Sequence, residues 1–249
     1  MSNKALVLNS GGCDSTTCVG IAVDKLGKDN VSTVSVMYGQ KHSRELECAN
    51  KVAEHYGVKH YELDLSNVLQ YSNCSLLSHS DEAVPEKSYA EQIAENGEGK
   101  VSTYVPYRNG LMLSAVASLA QSIYPDDEVD IYLGAHADDA AGRAYADCSE
   151  EFTSAMNTAI LIGTYGKVRV VAPLVNMNKA EVVGTGLKLH VPYELTTSCY
   201  NGHAKACSRC GTCLDRITAF KANNAIDPIE YEESIDWADC KPISTIKEN

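Results

Sequence analysis

The chain has 249 residues, 44% hydrophobic and 22% charged, which supplies the core of one large α/β domain, alone or with a small appendage, and excludes a disordered chain. A net charge of −12 argues against a broad phosphate-tracking surface for tRNA or DNA, so a small-molecule substrate is expected and no stable nucleic-acid partner. No apolar run approaches the roughly 20 residues that span a bilayer, and MSNKALVLNS enters a strand without a signal-peptide pattern, so the expectation is a cytoplasmic protein that does not engage a membrane.

In chain order, an apolar strand at 4–9 meets a Gly-Gly turn and a helix-period stretch at 14–27, with Asp14 at its start. A β-branched strand at 31–38 precedes a helix at 43–57, with Ser43 at its start and Glu45 and Glu47 in its first turn. Residues 61–65 alternate and predict a further strand. Residues 66–100 are polar, rich in Glu and Ser, and too long for an ordinary connection, which points to a lid or a dimer-contact insertion. Beyond them a helix at 110–123, a strand at 129–135, a helix at 149–163, a strand at 168–173 and a helix at 178–189 follow. This alternation predicts a parallel sheet with helices on both faces. From about Val191 the chain reads as loop-rich and ends in a polar tail with Trp237, so the division expected is 1–190 for the α/β domain and 191–249 for a region packed on it. No internal repeat is visible.

The turn after the first strand reads Ser10-Gly11-Gly12-Cys13-Asp14-Ser15-Thr16-Thr17. Gly11 and Gly12 allow positive φ and close approach to an anion, while Ser10, Ser15, Thr16 and Thr17 add hydroxyls at the positive end of the helix. That combination suits the phosphates of a nucleotide. The Lys of the GxxxxGK[ST] loop is missing, so kinase and GTPase readings fit poorly. Three further segments sit at strand ends or bends. In Tyr38-Gly-Gln-Lys-His42, Gln40 and His42 face nucleotide or substrate, or His42 is simply a surface residue. In Tyr104-Val-Pro-Tyr-Arg-Asn-Gly110, Pro106 holds Val105 extended; Arg108 is then a clamp for phosphate or carboxylate and Asn109 a helix cap, against a solvated Arg and a plain cap. In 134–151, Asp138, Asp139 and Asp147 are placed to accept hydrogen bonds from a purine-like base or to hold Mg²⁺, against an ordinary solvated acidic loop.

Ten cysteines are many, yet several, such as Cys13, Cys18 and Cys48, are scattered through apparent core segments, and a reducing compartment keeps those as thiols. Only Cys199-x7-Cys207-x2-Cys210-x2-Cys213 has ligand spacing, which suits one tetrahedral structural Zn²⁺ per chain. The rivals are an iron-sulfur cluster, although Ile217 stands where another cysteine is wanted, and a site in which His203 replaces Cys199.

SGGCDSTT resembles the SGGxDS loop of the ATP pyrophosphatase (PP-loop) superfamily, whose members bind ATP, release pyrophosphate and adenylate an oxygen. YGQKHSRE at 38–45, YVPYRN at 104–109, GAHADD at 134–139, DCSEEF at 147–152, APLVNMNKAEVV at 172–183 and the CxxCxxC knuckle follow it in the order found in the 7-cyano-7-deazaguanine synthase (QueC) family. The likeness covers nearly the whole chain. It implies an α/β, Rossmann-like adenine nucleotide alpha-hydrolase (PP-loop ATPase) fold with a small C-terminal zinc-binding region, and a homodimer. It implies ATP-dependent conversion of 7-carboxy-7-deazaguanine and ammonia to the nitrile 7-cyano-7-deazaguanine, through adenylated intermediates, in queuosine biosynthesis. A carboxylate is a poor electrophile until AMP is placed on it, and one site serves twice if the resulting amide is adenylated in turn. Under this resemblance Ser10, Gly11, Gly12, Asp14, Ser15 and Thr16 meet ATP phosphates and Mg²⁺, and Leu8, Asn9, Cys13, Thr17, Tyr38 and Gln40 lie along the nucleotide. Cys13 is filler there, not a nucleophile. Asp14, Ser15 and Arg108 carry catalysis, and Arg108, Asn109, Asp138, Asp139, Tyr145 and Asp147 meet substrate. The chain departs from the family at Tyr145-Ala-Asp-Cys148, where many relatives read YPDC and Ala146 releases a fixed φ. A PP-loop tRNA thiolase or an amidotransferase-type synthetase is the alternative; the thiolase would want a basic surface and a reactive cysteine pair.

Overall fold

A computed structural model describes residues 3–97, 101–141 and 144–246. β1 (Asn3–Leu8), α1 (Cys13–Leu26), β2 (Val31–Met37), α2 (Arg44–Tyr56) and β3 (Lys59–Asp64) form the first half of an α/β layer structure. Two short helices, α3 (Ser66–Leu69) and α4 (Tyr89–Asn96), precede α5 (Arg108–Ile123), β4 (Glu128–Tyr132), the single turn α6 (Ala137–Ala140), α7 (Glu150–Gly163), β5 (Val168–Val171) and α8 (Lys179–Lys188). α9 (Gly211–Ala222), a two-residue pairing of β6 (Ala225–Ile226) with β7 (Lys241–Pro242), and α10 (Ile243–Ile246) complete the chain.

The main sheet is parallel throughout, in the order β3-β2-β1-β4-β5. Alternation along β1 explains why it needs cover on both sides. Leu6 and Leu8 pack with Val34, Ile131, Leu113 and Val116 on the α5 and α7 face. Ala5 and Val7 pack with Val19, Ala22, Val52 and Val182 on the α1, α2 and α8 face. Burying each Val or Leu contributes roughly 1.5–3 kcal/mol against exposure, which makes this double layer the main source of cohesion. β1 and β4 are neighbours, yet the chain leaves them toward opposite halves of the sheet, and their carboxyl ends therefore open a crevice.

Two segments are more closely packed than their composition suggests. The 66–100 segment, expected to be a lid or a dimer-contact insertion, has an apolar part that joins the domain: Leu69, Cys74, Leu76 and Leu77 are buried with Tyr38 and Val105. The Lys41 amide donates to the Leu76 carbonyl at 3.0 Å and the Ser78 amide to Gly39 at 2.8 Å, fastening the segment to the turn after β2. Its last three residues, 98–100, lie outside the described residues. The region after Val191 is less loop-rich than expected, because α9 packs Ala219 and Phe220 against Val183 and Leu187 of α8.

Candidate active site

A cleft of about 220 Å³ opens at the crevice and is lined by the turn after β1, the ends of β2 and β4, and the starts of α5 and α8. The turn is a closed hydrogen-bond net. Asn9 is buried, its Nδ2 donating to the Ala49 carbonyl at 3.2 Å and its Oδ1 accepting the Gly11 amide at 3.0 Å. The Ser10 amide donates to Ser15 Oγ at 3.2 Å, and the two seryl oxygens stand 3.1 Å apart. Gly11 has φ +74°, and a Cβ there would overlap the Glu45 carbonyl and come within 2.7 Å of the Ala49 amide, so only glycine fits. Gly12, expected to share this conformation, is extended at φ −84° because it already serves as the N-cap of α1. No side chain caps that helix end, which leaves first-turn N–H groups for an anion in the cleft. Opposite it, β4 ends so close that a Cβ on Gly134 would stand 3.1 Å from the Ser15 nitrogen.

One wall of the cleft is a charge cluster. Lys179, the first residue of α8 after its Asn178 cap, places Nζ 2.6 Å from both carboxylate oxygens of Asp14 and 3.5 Å from His136 Nε2. His136 Nε2 also lies 3.8 Å from Asp14 and 3.4 Å from Asp139. Burial pushes the Asp14 carboxyl up, but Lys179 and His136 together outweigh it and hold the group ionised below its usual range. Burial pulls the Lys179 ammonium down, and Asp14 reverses that, so it stays protonated. Burial raises Asp139 above its usual value, and Asp215 at the same wall is pushed up to about 6, again chiefly by burial.

At the other end, Arg108 Nη1 donates to the Tyr38 hydroxyl at 3.3 Å, and its guanidinium lies 5.1 Å from the Tyr38 ring centre. Burial acts against that charge, and the neighbouring Tyr38, Tyr200, Cys148 and Glu45 more than offset it. α5 starts earlier than the sequence suggests, at Arg108, behind Tyr107 in the left-handed region at φ 52°. Asn109 is consequently inside the first turn and is not the cap. Asp147 performs that task, its carboxylate accepting the Asn109 amide at 2.9 Å while its carbonyl accepts Asn109 Nδ2 at 3.0 Å.

Of the residues singled out from sequence, Leu8, Asn9, Ser10, Gly12, Cys13, Asp14, Ser15, Tyr38, Gln40, Arg108, Asn109 and Asp139 line the cleft together. Others stand behind it. Gly11 supports the turn through its carbonyl, which accepts the Thr197 amide. Thr16 is fully buried, and the Thr17 hydroxyl is taken up by the Cys13 carbonyl and by Tyr193, so neither faces the cleft. Asp138 accepts the Lys179 amide at 2.7 Å outside the cleft, Asp147 is the buried cap just described, and the Tyr145 hydroxyl bonds Thr103 at 2.6 Å behind the wall. His42 packs against Gly202 instead of facing the cleft. Sequence reasoning missed Lys179, His136 and Asp215. Lys179 did carry a signal: a lysine directly after an Asn cap, beyond the carboxyl end of a strand.

The Sγ atoms of Cys199, Cys207, Cys210 and Cys213 all lie within 4.8 Å of one another, and all four residues are buried. A tetrahedral zinc with Zn–S bonds of about 2.3 Å requires sulfurs roughly this far apart, so the donor set fits. The Cys207 and Cys210 amides donate to Cys199 Sγ at 3.3 Å and Cys207 Sγ at 3.4 Å, as suits thiolate acceptors. His203 is exposed and paired with Glu232 at 2.7 Å, outside the set.

A family model described as "Queuosine biosynthesis protein QueC" matches residues 4–224. The chain is 43% identical over 234 residues to the 7-cyano-7-deazaguanine synthase of Caldicellulosiruptor saccharolyticus, covering 94% of this chain and 98% of that one. The proteins of that name from Pseudoalteromonas atlantica and Archaeoglobus fulgidus are each 40% identical to this chain, over 93% and 92% of it and 100% and 91% of theirs. With the phosphate turn, the charged cleft and the four-thiol knuckle all present on a matching span, the chain belongs to the QueC family of queuosine biosynthesis proteins.

Proposed function

We propose that this protein converts 7-carboxy-7-deazaguanine and ammonia to 7-cyano-7-deazaguanine with ATP. The observation that carries this reading is the uncapped start of α1, whose free N–H groups face a cleft with Lys179 on one side and Arg108 on the other. The triphosphate of ATP would lie against Ser10, Gly12 and Ser15, where Asp14 and Asp139 are the carboxylates that would hold Mg²⁺. Lys179 then turns from Asp14 toward phosphate as charge builds on the leaving pyrophosphate. Arg108 clamps the acid so that its carboxylate attacks the α-phosphate, giving an acyl adenylate and pyrophosphate. Ammonia displaces AMP and leaves an amide after losing a proton. A second ATP adenylates the amide oxygen, and loss of AMP with the remaining N–H protons gives the nitrile. Positioning and charge neutralisation carry both rounds, which explains why one cleft suffices.

The thiol knuckle holds one Zn²⁺ per chain in a structural role, and the protein works as a cytoplasmic homodimer. Incubation with ATP, Mg²⁺, ammonium and 7-carboxy-7-deazaguanine is expected to yield nitrile product by mass spectrometry, with pyrophosphate release that depends on the acid. ATP binding without any release of pyrophosphate would instead mark a nucleotide-sensing protein.

A further inference from the structure

Beside the glycine turn runs a strap, residues 193–198, whose last two residues, Thr197 and Ser198, line the cleft but which the chemistry above does not use. The Thr197 amide donates to the Gly11 carbonyl at 2.9 Å, and the Tyr193 hydroxyl meets the Thr17 hydroxyl of α1 at 2.8 Å. The strap is held from below by Arg216 of α9, which is only 1% exposed and absent from the cleft wall. Nη1 donates to Thr196 Oγ1 at 2.8 Å and Ser198 Oγ at 3.3 Å, Nη2 to the Tyr193 carbonyl at 3.2 Å, and Nε and Nη2 to the Asp227 carboxylate at 2.6 and 2.9 Å. All five guanidinium N–H groups are thereby engaged, an arrangement lysine cannot reproduce. The strap then enters Cys199, and Thr212 Oγ1 ties its last carbonyl, Ser198, to α9 at 2.6 Å.

We propose that Arg216 is a positioning residue for the phosphate turn, setting the place of Gly11 through Thr196 and Thr197 and so linking the four-thiol helix to nucleotide affinity. The inference rests on the nucleotide-binding part of the function proposed above. The test uses the full, zinc-loaded chain with Arg216→Lys, Thr196→Val and Thr196→Ser. It reads the Kd for ATP by calorimetry, KM for ATP and for the deazapurine acid, and zinc content. Loss of charge-assisted bonds predicts ATP binding about tenfold or more weaker in Arg216→Lys, with KM for ATP raised, KM for the acid unchanged and one zinc retained. Thr196→Val shifts the same way by less, and Thr196→Ser, which keeps the acceptor, restores the parent value. Should Arg216→Lys fail to fold, the Thr196 pair decides. ATP affinity within about twofold of the parent in Arg216→Lys and Thr196→Val, or both KM values rising together with loss of zinc, overturns the proposal. A parent that binds no ATP overturns the functional reading as well, whereas a parent that binds with unchanged variants overturns the strap alone.

Discussion

Asp14 and Lys179 form an ion pair across 165 residues of sequence, at the wall of the cleft proposed to bind ATP. A cation already paired inside an anion site is pre-paid: its desolvation is met before the nucleotide arrives, and exchange of partners costs little reorganisation. Lys179→Met is expected to lower kcat by about 10²–10³-fold in the pyrophosphate-release assay while leaving the circular dichroism spectrum unchanged. Asp14→Ala and Ser10→Ala should likewise abolish turnover in a folded protein. A second residue-scale consequence concerns the sheet edge, where His60 sits opposite Thr33 and its Nδ1 lies 2.7 Å from Thr33 Oγ1. Burial holds the His60 pKa below its usual 6.5. Since the unfolded chain then takes up the proton first, its contribution is present above pH 6.5 and is lost as pH falls through the lower folded value. Urea unfolding at pH 7.5 and pH 5 should show a larger drop in the parent than in His60→Gln. The glycine turn and Arg108 were legible because their meaning is local. The cluster of Asp14, His136 and Lys179 was not, since charges assembled from the ends of three strands have no common spacing in the sequence, and Lys179 carried only the local signal of a lysine after an Asn cap.

Among the elements, α5 shows how a helix end can be built from elsewhere in the chain. Its own preceding residue, Tyr107, offers no side-chain cap, and the buried Asp147 supplies the acceptor. Asp147→Ala should cost about 1 kcal/mol by chemical denaturation and raise KM for the deazapurine acid, because the first turn that carries Arg108 loses its anchor. The knuckle sets a sharper dependence. Cys210→Ser is expected to lose the bound zinc, measured by elemental mass spectrometry, and to unfold at lower temperature; bound iron with a visible absorption band would refute the zinc assignment. α1, α2, α7 and α8 were readable to within a residue or two from their apolar period. α9 was not, since its buried face carries Arg216 and Cys213 alongside Ile217 and Phe220, and polar residues turned inward erase the periodic signal. The packing of the 66–100 segment was not readable for the converse reason: Leu69 and the short run 74–77 are buried between polar stretches, a pattern with neither period.

For the molecule as a whole, the five strands and their parallel pairing follow from alternating strand and helix patterns, because buried parallel strands are apolar on both faces. Pairing order needed the structure. Outside the zinc knuckle, burial shapes the thiols as much as the sheet: Cys13 is pushed up to about 11, and Cys18, Cys48, Cys74 and Cys148 are all raised, burial being the first cause in each. Thiolate is the reactive form, so these side chains are nearly inert to electrophiles at neutral pH. Cys240 alone is half-exposed. The zinc-loaded protein should therefore take up a single equivalent of maleimide rapidly, which offers a site for a fluorophore with every native cysteine left in place.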